Sequence, residues 1–366
     1  MSHTDTPTSE RPERLRQPGL ESDPRAPSAL TKRRDGRDQP APATYYGLAS
    51  IKPSPWTDKV PVYVALAGLG GAAQGIAWLA RHGGNERHRS IVRHGRFLGL
   101  ATAVLGAPLL IADLKTPKRF ANMLRIFRPT SPMSIGSYVL TTFGLMSALT
   151  VAAEVAPRGR GRRGRFGRRL ARIGEAAQLP AALTGAGLAT YTGALLAATS
   201  VPLWAARPGL LTARFAASSV ASGAAALSLA EHAGGDPCHN SRKLDAIAFL
   251  ATAAGAVLKQ VMSASTPRER LIMAPVEDAS LPAVLAKVGA SGVGQMLPLA
   301  LLALNMASRR PSVPQSALAS AAIIAGSFAL RLAIMRGEKT SAASGAAYLR
   351  FTEGNGPSGK PNGGVP

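Results

Sequence analysis

The sequence predicts an all-α protein, a polytopic membrane helix bundle with eight transmembrane helices. The chain of 366 residues carries 43 Lys and Arg against 20 Asp and Glu, which gives a formal net charge of +23. These charges cluster in tails and connectors, so long uncharged windows remain between them. A helix needs roughly 20 apolar residues to cross about 30 Å of hydrocarbon, and eight windows reach that length.

The eight windows follow one another along the chain, and the three shortest reach full length only with their flanking residues. They are residues 60–80, 97–112, 129–153, 176–206, 215–230, 246–258, 288–308 and 311–330. Gly, Ala, Ser and Thr are abundant in them, which favours close helix packing in lipid. The run GLGGAAQG at residues 68–75 lies inside the first window, so it indicates helix packing rather than a phosphate-binding loop.

The windows place a membrane domain at residues 44–340, between a polar tail at 1–43 and a second tail at 341–366. Both tails are expected to be flexible. Loops one, three, five and seven carry more Lys and Arg than loops two, four and six, and the third loop, at 158–169, is densest in arginine. This bias predicts a multi-pass protein of the cell inner (plasma) membrane, with cytoplasmic odd loops and both termini on the periplasmic or outer side.

The arginine run in the third loop has a second reading, because arginine- and glycine-rich segments also bind nucleic acid. In a short loop between two spans, the run favours a topological anchor instead. No nucleic-acid partner is therefore expected.

Residues that ligate cofactors are scarce in these spans. Cys238 is the only cysteine, so the chain has too few thiolates for an iron–sulfur cluster or a thiolate zinc site. None of the six histidines lies centrally in a span, which argues against the paired axial ligands of a membrane haem. His82, His88 and His94 in the first loop, and His239 beside Cys238, are interpreted as loop residues. We expect no haem and no metal in this chain.

Polar side chains at membrane depth are the remaining functional candidates, because such groups are costly in lipid. Each one alone is explained by an interhelical hydrogen bond or by snorkelling to the interface, but the set suggests a polar path through the bundle. They are Gln74, Thr190, Tyr191, Thr192, Lys259, Lys287, Gln295 and Arg331 within spans, and Asp113, Glu154 and Glu231 at span ends.

A basic and aromatic connector joins spans two and three. From residue 112 to 140 the chain reads ADLKTPKRFANMLRIFRPTSPMSIGSYVL. Its cations are Lys115, Lys118, Arg119, Arg125 and Arg128. Such a surface suits docking of an acidic protein partner. The alternative is an anchor whose arginines and aromatic rings lie at the lipid headgroups.

Three segments together resemble the NrfD family, the membrane subunits of polysulfide-reductase-type complexes. They are YYGLASIKPSPWTDKVPVYVALAGLGG at 45–71, the connector from residue 113 to 140, and YTGALLAATSVPLW at 191–204, which would form most of span four. The resemblance covers about residues 45–340. It implies a non-catalytic subunit of a respiratory oxidoreductase that exchanges electrons between menaquinone or ubiquinone and a ferredoxin-like iron–sulfur partner. That partner would connect it to a molybdenum-type catalytic subunit.

The resemblance also implies a quinone site between helices near the partner. Tyr191 matches the family's tyrosine in span four, and its hydroxyl would donate to a quinone carbonyl. Asp58 or Asp113 would accept the protons of a quinol, and Gln74 completes the predicted set. The five cations of the connector become docking residues.

Two other functions stay open at this point. An ion or solute transporter would use Lys259, Lys287, Gln295 and Arg331 as its path, although no similarity between the two halves of the chain supports it. A purely structural anchor would tether a partner without any redox role.

Overall fold

Eight membrane-spanning helices account for most of the structure. A computed structural model describes residues 51, 54–83, 88–156, 162–234, 240–263, 281–308 and 310–343. All regular structure within these ranges is helical, and eight of the helices are long and apolar enough to cross a membrane. The predicted all-α polytopic bundle is therefore confirmed. The N-terminal tail, most of the C-terminal tail, Cys238 and His239 lie outside the described residues.

The spans alternate in direction along the chain. They are α1 (Lys59–His82), α2 (Arg89–Asp113), α3 (Pro132–Glu154), α4 (Arg162–Ala197), α5 (Pro208–Ala233), α6 (Asn240–Ser263), α7 (Leu281–Ala307) and α8 (Val313–Ala343). Shorter helices lie at Pro117–Leu124 and Pro202–Ala205. We call the end of the bundle where α1 begins and α2 ends the connector face, because it carries the connector, and the other end the opposite face.

Local sequence explains several helix ends. Pro132 and Pro208 stand in the first turns of α3 and α5, where a missing backbone N–H costs nothing. The Ser131 side chain accepts a hydrogen bond from the Ser134 N–H and so caps α3. Gly83 follows α1 at its C-terminal end. These signals fix where the spans start and stop relative to the apolar windows.

Glycines let the helix backbones approach each other closely. A Cβ atom on Gly71 of α1 would collide with the backbone of Gly185 in α4. One on Gly193 of α4 would lie 2.7 Å from the Cα of Thr212 in α5. In lipid, helices associate through such close packing rather than through a hydrophobic drive. The run at residues 68–75 is a packing segment inside α1, as its position in the first window indicates.

An apolar core fills the half of the bundle nearer the connector face. Phe143, Trp204 and Phe215 are almost fully buried there. Trp204 stacks on Trp56 with 6.0 Å between ring centroids, and its Nε1 donates to the Ile334 carbonyl at 3.0 Å. The short helix that carries Trp204 is thereby fixed between the start of α1 and the end of α8.

Two expectations about span four are wrong. The described part of the arginine-rich segment, residues 162–169, is the beginning of α4 and not a loop. With 36 residues, α4 is about 54 Å long and extends beyond the hydrocarbon at the opposite face. In addition, α4 ends at Ala197, so the segment from residue 191 to 204 spans a helix end, a break and a separate short helix. Thr184 and the apolar residues around it, not this segment, form the middle of the span.

A π-helical stretch interrupts α7 at Leu285–Met296. Pro298 follows it after one residue, Leu297, and has no N–H to offer the ordinary helical ladder. Wider π turns of this kind often occur where a helix contributes to a functional site. The stretch also brings Gly294 against Gly326 of α8, with no room for a side chain between them.

Replacing Gly71 by alanine tests the packing of α1 on α4. The added methyl group must displace the Gly185 backbone, so we expect a loss of about 1–3 kcal/mol in stability. Gly75, one turn further along α1, has open space around its Cβ position and provides the matched control, Gly75→Ala. Thermal unfolding in a single detergent measures both. Equal melting temperatures for the two variants would contradict the predicted contact.

Candidate functional site

Asp58 joins the two ends of the membrane domain. It precedes α1, and the Arg336 guanidinium near the end of α8 donates to it twice, from Nε to Oδ1 at 2.8 Å and from a terminal nitrogen to Oδ2 at 2.6 Å. These hydrogen bonds hold the pKa of the Asp58 carboxyl below its ordinary value. The pair therefore stabilises the fold above the ordinary pKa, and that contribution is lost as the pH falls through the lowered one. Because the Asp58 side chain is 60% exposed, the contribution is small.

Asp113 lies beside Asp58 on the same face. Its Oδ1 accepts from the Thr57 backbone N–H at 3.1 Å and also from the Thr57 hydroxyl. Lys59 donates to the Ala112 carbonyl at 3.1 Å, which ties the start of α1 to the end of α2. The structure thus brings the two predicted aspartates together, one on each side of Thr57, at the edge of the membrane.

A third carboxylate at this face has no counterpart in the sequence predictions. Glu338 of α8 is only 2% exposed, and the Ser54 hydroxyl donates to it at 2.5 Å. The Ser54 backbone N–H donates to the same carboxylate. In the sequence, Glu338 could have been noticed only as an acidic residue about two helical turns after the last apolar window, residues 311–330.

Tyr191 also lies at the connector face. Because α4 begins at the opposite face, Tyr191 stands in its last turns, and its hydroxyl donates to the Pro132 carbonyl at the start of α3. Its ring occupies the space above Gly136, where a Cβ would come within 2.6 Å of the ring. The depth of Tyr191 in the membrane depends on where α4 begins, and the uncharged window at residues 176–206 does not show that α4 begins at Arg162.

Tyr63 is a second phenol in this region that the sequence reading missed. It is 7% exposed on α1, and it interacts electrostatically with Tyr191. Its ring packs against Gly106 of α2, where a Cβ would lie 3.2 Å away. The two phenols therefore connect α1, α2, α3 and α4 on the connector side. A tyrosine five residues after Asp58, at the start of an apolar span, was the available signal.

Gln74 lies deeper and belongs to a different polar network. It is fully buried, donates to the Ser147 hydroxyl at 3.2 Å and accepts from the Gln178 amide at 2.9 Å. Gln178 in turn accepts from Arg96 at 2.6 Å, and Arg96 pairs with Glu154 at 2.5 Å. This network connects α1 to α4 and leads towards the opposite face. The structure does not bring Gln74 to the two aspartates and Tyr191.

The connector presents its charges to the outside. All five predicted docking cations are exposed: Lys115, Lys118, Arg119, Arg125 and Arg128. No residue of the short helix Pro117–Leu124 is buried, and Phe127 is 54% exposed. Tyr138 holds the segment in place, because its hydroxyl donates to the Leu124 carbonyl at 2.8 Å and its ring meets Phe127 edge-on at 5.0 Å.

Histidines in the described residues take structural positions. His94 lies within α2 and not in the first loop, and its Nδ1 is 2.8 Å from the buried Glu231 carboxylate. Ser90 and Asn240 donate to the same carboxylate, which ties α2, α5 and α6 together. No group of three or more His, Cys, Asp or Glu side chains within the described ranges has the arrangement of a metal site.

The polar residues assigned to a transport path fall mainly in the second half of the bundle. The Lys259 ammonium donates to Ser291 at 2.6 Å, and Arg331 is 1% exposed among serine hydroxyls of α5 and α8. Gln295 lies in the π-helical stretch of α7, and Lys287 is an exposed residue near its start. This group is separate from the connector-face tyrosines and aspartates.

The fold defines an integral, multi-pass membrane protein whose connector face carries exposed positive charge. A family model described as "Polysulphide reductase, NrfD" matches residues 49–340. The chain belongs to this family, the membrane subunits of polysulfide-reductase-like respiratory oxidoreductases. A comparison with curated proteins found no match.

Proposed function

We propose that this subunit exchanges electrons between the membrane quinone pool, menaquinone or ubiquinone, and a ferredoxin-like iron–sulfur subunit. Through that partner it would serve a molybdenum-type catalytic subunit, with no haem or metal of its own. One observation carries the proposal: two phenols, an aspartate at the water interface and an exposed basic connector lie at the same face. A quinone reaction needs hydrogen-bond donors, a proton acceptor and a nearby electron partner. At this face the phenols would be the donors, the aspartate would be the acceptor, and the basic connector would bind the electron partner.

Tyr191 fits the role of donor to a quinone carbonyl. Its single O–H now donates to the Pro132 carbonyl, and rotation of that hydrogen about the C–O bond would redirect it to a ligand without moving the oxygen. Its ring is held by Gly136, which fixes the position of the oxygen. Tyr63 lies in the apolar core of the same half of the bundle and would supply a second hydroxyl. A bound quinone would contribute two-electron, two-proton carrier chemistry at this place.

Asp113 is the better of the two aspartates for handling protons. Among the described residues it accepts from Thr57 alone, whereas both oxygens of Asp58 are engaged by Arg336. A carboxylate at the membrane edge can pass protons between a buried site and water. Asp58 would then shape the rim of the site by holding α8 against α1. Gln74 lies in the deeper network that it shares with Gln178, so it would influence quinone binding only through that network.

The connector fits a protein surface of opposite charge. Five exposed cations surround exposed apolar side chains such as Phe120, Ile126 and Phe127. Protein interfaces commonly place apolar and aromatic residues at the centre and charged residues at the rim. The long-range attraction would steer an acidic iron–sulfur subunit towards the face that holds the phenols.

The charge of α4 supports an orientation. Its first turns extend beyond the hydrocarbon and expose four arginines at the opposite face: Arg165, Arg168, Arg169 and Arg172. Positive charge next to a span favours the cytoplasmic side. The connector face, and with it the start of α1 and the end of α8, would lie on the periplasmic or outer side of the inner (plasma) membrane.

Removing one hydroxyl separates a quinone role for Tyr191 from a structural one. Tyr191→Phe should leave assembly intact and slow quinone-dependent turnover tenfold or more, since about 1.4 kcal/mol of lost transition-state stabilisation is tenfold in rate. Thr190→Val is the matched control, because it removes a neighbouring hydroxyl of α4 that bonds to the Ala186 carbonyl of its own helix. Turnover is measured in membranes that contain the whole complex, per assembled complex. Wild-type turnover by the Tyr191 variant would rule out the assignment.

Charge reversal tests the docking surface. The triple change Lys118→Glu, Arg119→Glu and Arg125→Glu should release the iron–sulfur partner while the subunit still inserts in the membrane, because it replaces attraction by repulsion. The control reverses Arg89, Arg93 and Arg242, three exposed arginines at the opposite face, and leaves the arginines of α4 in place. Co-purification at two salt concentrations provides the measurement, since exposed contacts weaken as screening rises. Undiminished recovery of the partner with the first triple variant would argue for a lipid-anchoring role instead.

A further inference from the structure

A small cavity lies among α5, α6, α7 and α8, within the second half of the bundle. Its volume is about 20 Å³, which is room for a water molecule or a monatomic ion and far too little for a quinone ring. Five polar side chains line it: Arg214, Ser218, Thr252, Gln295 and Ser327. The remaining lining is apolar or glycine, as at Gly294 and Gly326.

Positive charge surrounds this cavity, and no carboxylate of the described residues is paired with it. Arg214 lines it, and its buried Nε has no hydrogen-bond partner within the described residues. Arg331 stands directly behind the lining and donates to Ser218 at 3.2 Å and to Ser327 at 2.6 Å. Lys259 is close enough to Arg214 to interact electrostatically with it. No described Asp or Glu forms an ion pair with any of the three, and uncompensated charge is costly at such depth.

Two polar side chains of the lining, Ser327 and Gln295, keep hydrogen-bonding capacity that no described residue uses. The Ser327 oxygen accepts from both Arg331 and the Ser218 hydroxyl, so its own hydrogen is left to point elsewhere. Gln295 is 8% exposed, and its Oε1 has no partner within the described part of the chain. A 180° flip of the terminal amide, which exchanges its oxygen and its N–H₂ group, would place a donor where the unpartnered oxygen stands.

The π-helical stretch of α7 builds one wall of this cavity. Ala290, Gly294 and Gln295 all belong to it and all line the cavity. The wider π turns allow these three residues to face the cavity together. In a regular α-helix their side chains would point in other directions. The irregular helix, the unpartnered amide and the basic cluster thus converge on one small volume.

We propose that this cavity is a binding site for a small monatomic anion of the chloride class. Buried positive charge favours an anion over a cation. The small volume favours a small anion over a lipid headgroup. The bound anion balances the charge of Arg214 and Arg331 and ties α5 and α8 to the π-helical part of α7.

The experiment uses the purified full chain in detergent, in a chloride-free gluconate buffer. Adding chloride at constant ionic strength should raise the melting temperature along a saturable curve, and bromide should replace chloride while sulfate should not. Arg214→Gln should weaken the apparent affinity for chloride at least tenfold. Arg93→Gln, an exposed arginine of α2, is the matched control and should bind as the wild type does. Arg331 is a poor choice for the test, because it also packs over the Phe215 ring at 5.2 Å.

A crystal soaked in bromide supplies a readout that does not depend on any variant. An anomalous peak between Arg214 and Gln295 would support the proposal, even if the Arg214 variant fails to fold. Water density without an anomalous peak would overturn it. So would a melting curve that responds equally to chloride and sulfate, because that result reflects screening alone.

Discussion

Close approach of helix backbones is the constraint on which the rest of this molecule depends. Gly71 meets Gly185, Gly193 meets Thr212, and Gly294 meets Gly326, so successive pairs of spans touch main chain to main chain. Lipid gives no hydrophobic drive for helix association, and these contacts replace it with dense packing. Backbones that are held so closely leave polar side chains few alternative positions. The hydrogen bonds in the buried networks around Gln74 and Arg331 are therefore held in one geometry, which the glycine contacts between the helices determine.

This packing separates the polar chemistry of the bundle into distinct places. The connector face gathers Tyr191, Tyr63 and Asp113 beside an exposed basic surface, which suits exchange with a partner outside the membrane. The network from Gln74 to Glu154 is fully paired and gives α1–α4 a defined register. The Asp58–Arg336 pair joins the start of the first span to the last span at the connector face.

The sequence was a good guide to the number of spans and a poorer guide to depth. Uncharged windows predict spans well because charge in hydrocarbon is so costly. The same reasoning failed for α4, since its first turns carry arginines outside the hydrocarbon and still continue the helix. The position of Tyr191 depends on that extension, and Gln74 was grouped with it only because both are polar and within spans. Tyr63, Glu338 and the cavity beside Gln295 arise from contacts between distant segments, which spacing along one helix does not reveal.

The central claim is that quinone binds between the spans of the first half at the connector face. Photo-crosslinking with a quinone that carries a photoreactive ring substituent tests it most directly, with the labelled peptides identified by mass spectrometry. The account predicts adducts in the first turns of α1 and the last turns of α4, and their loss when natural quinone is added in excess. Adducts confined to α5–α8, or to the region around Gln74, would contradict it.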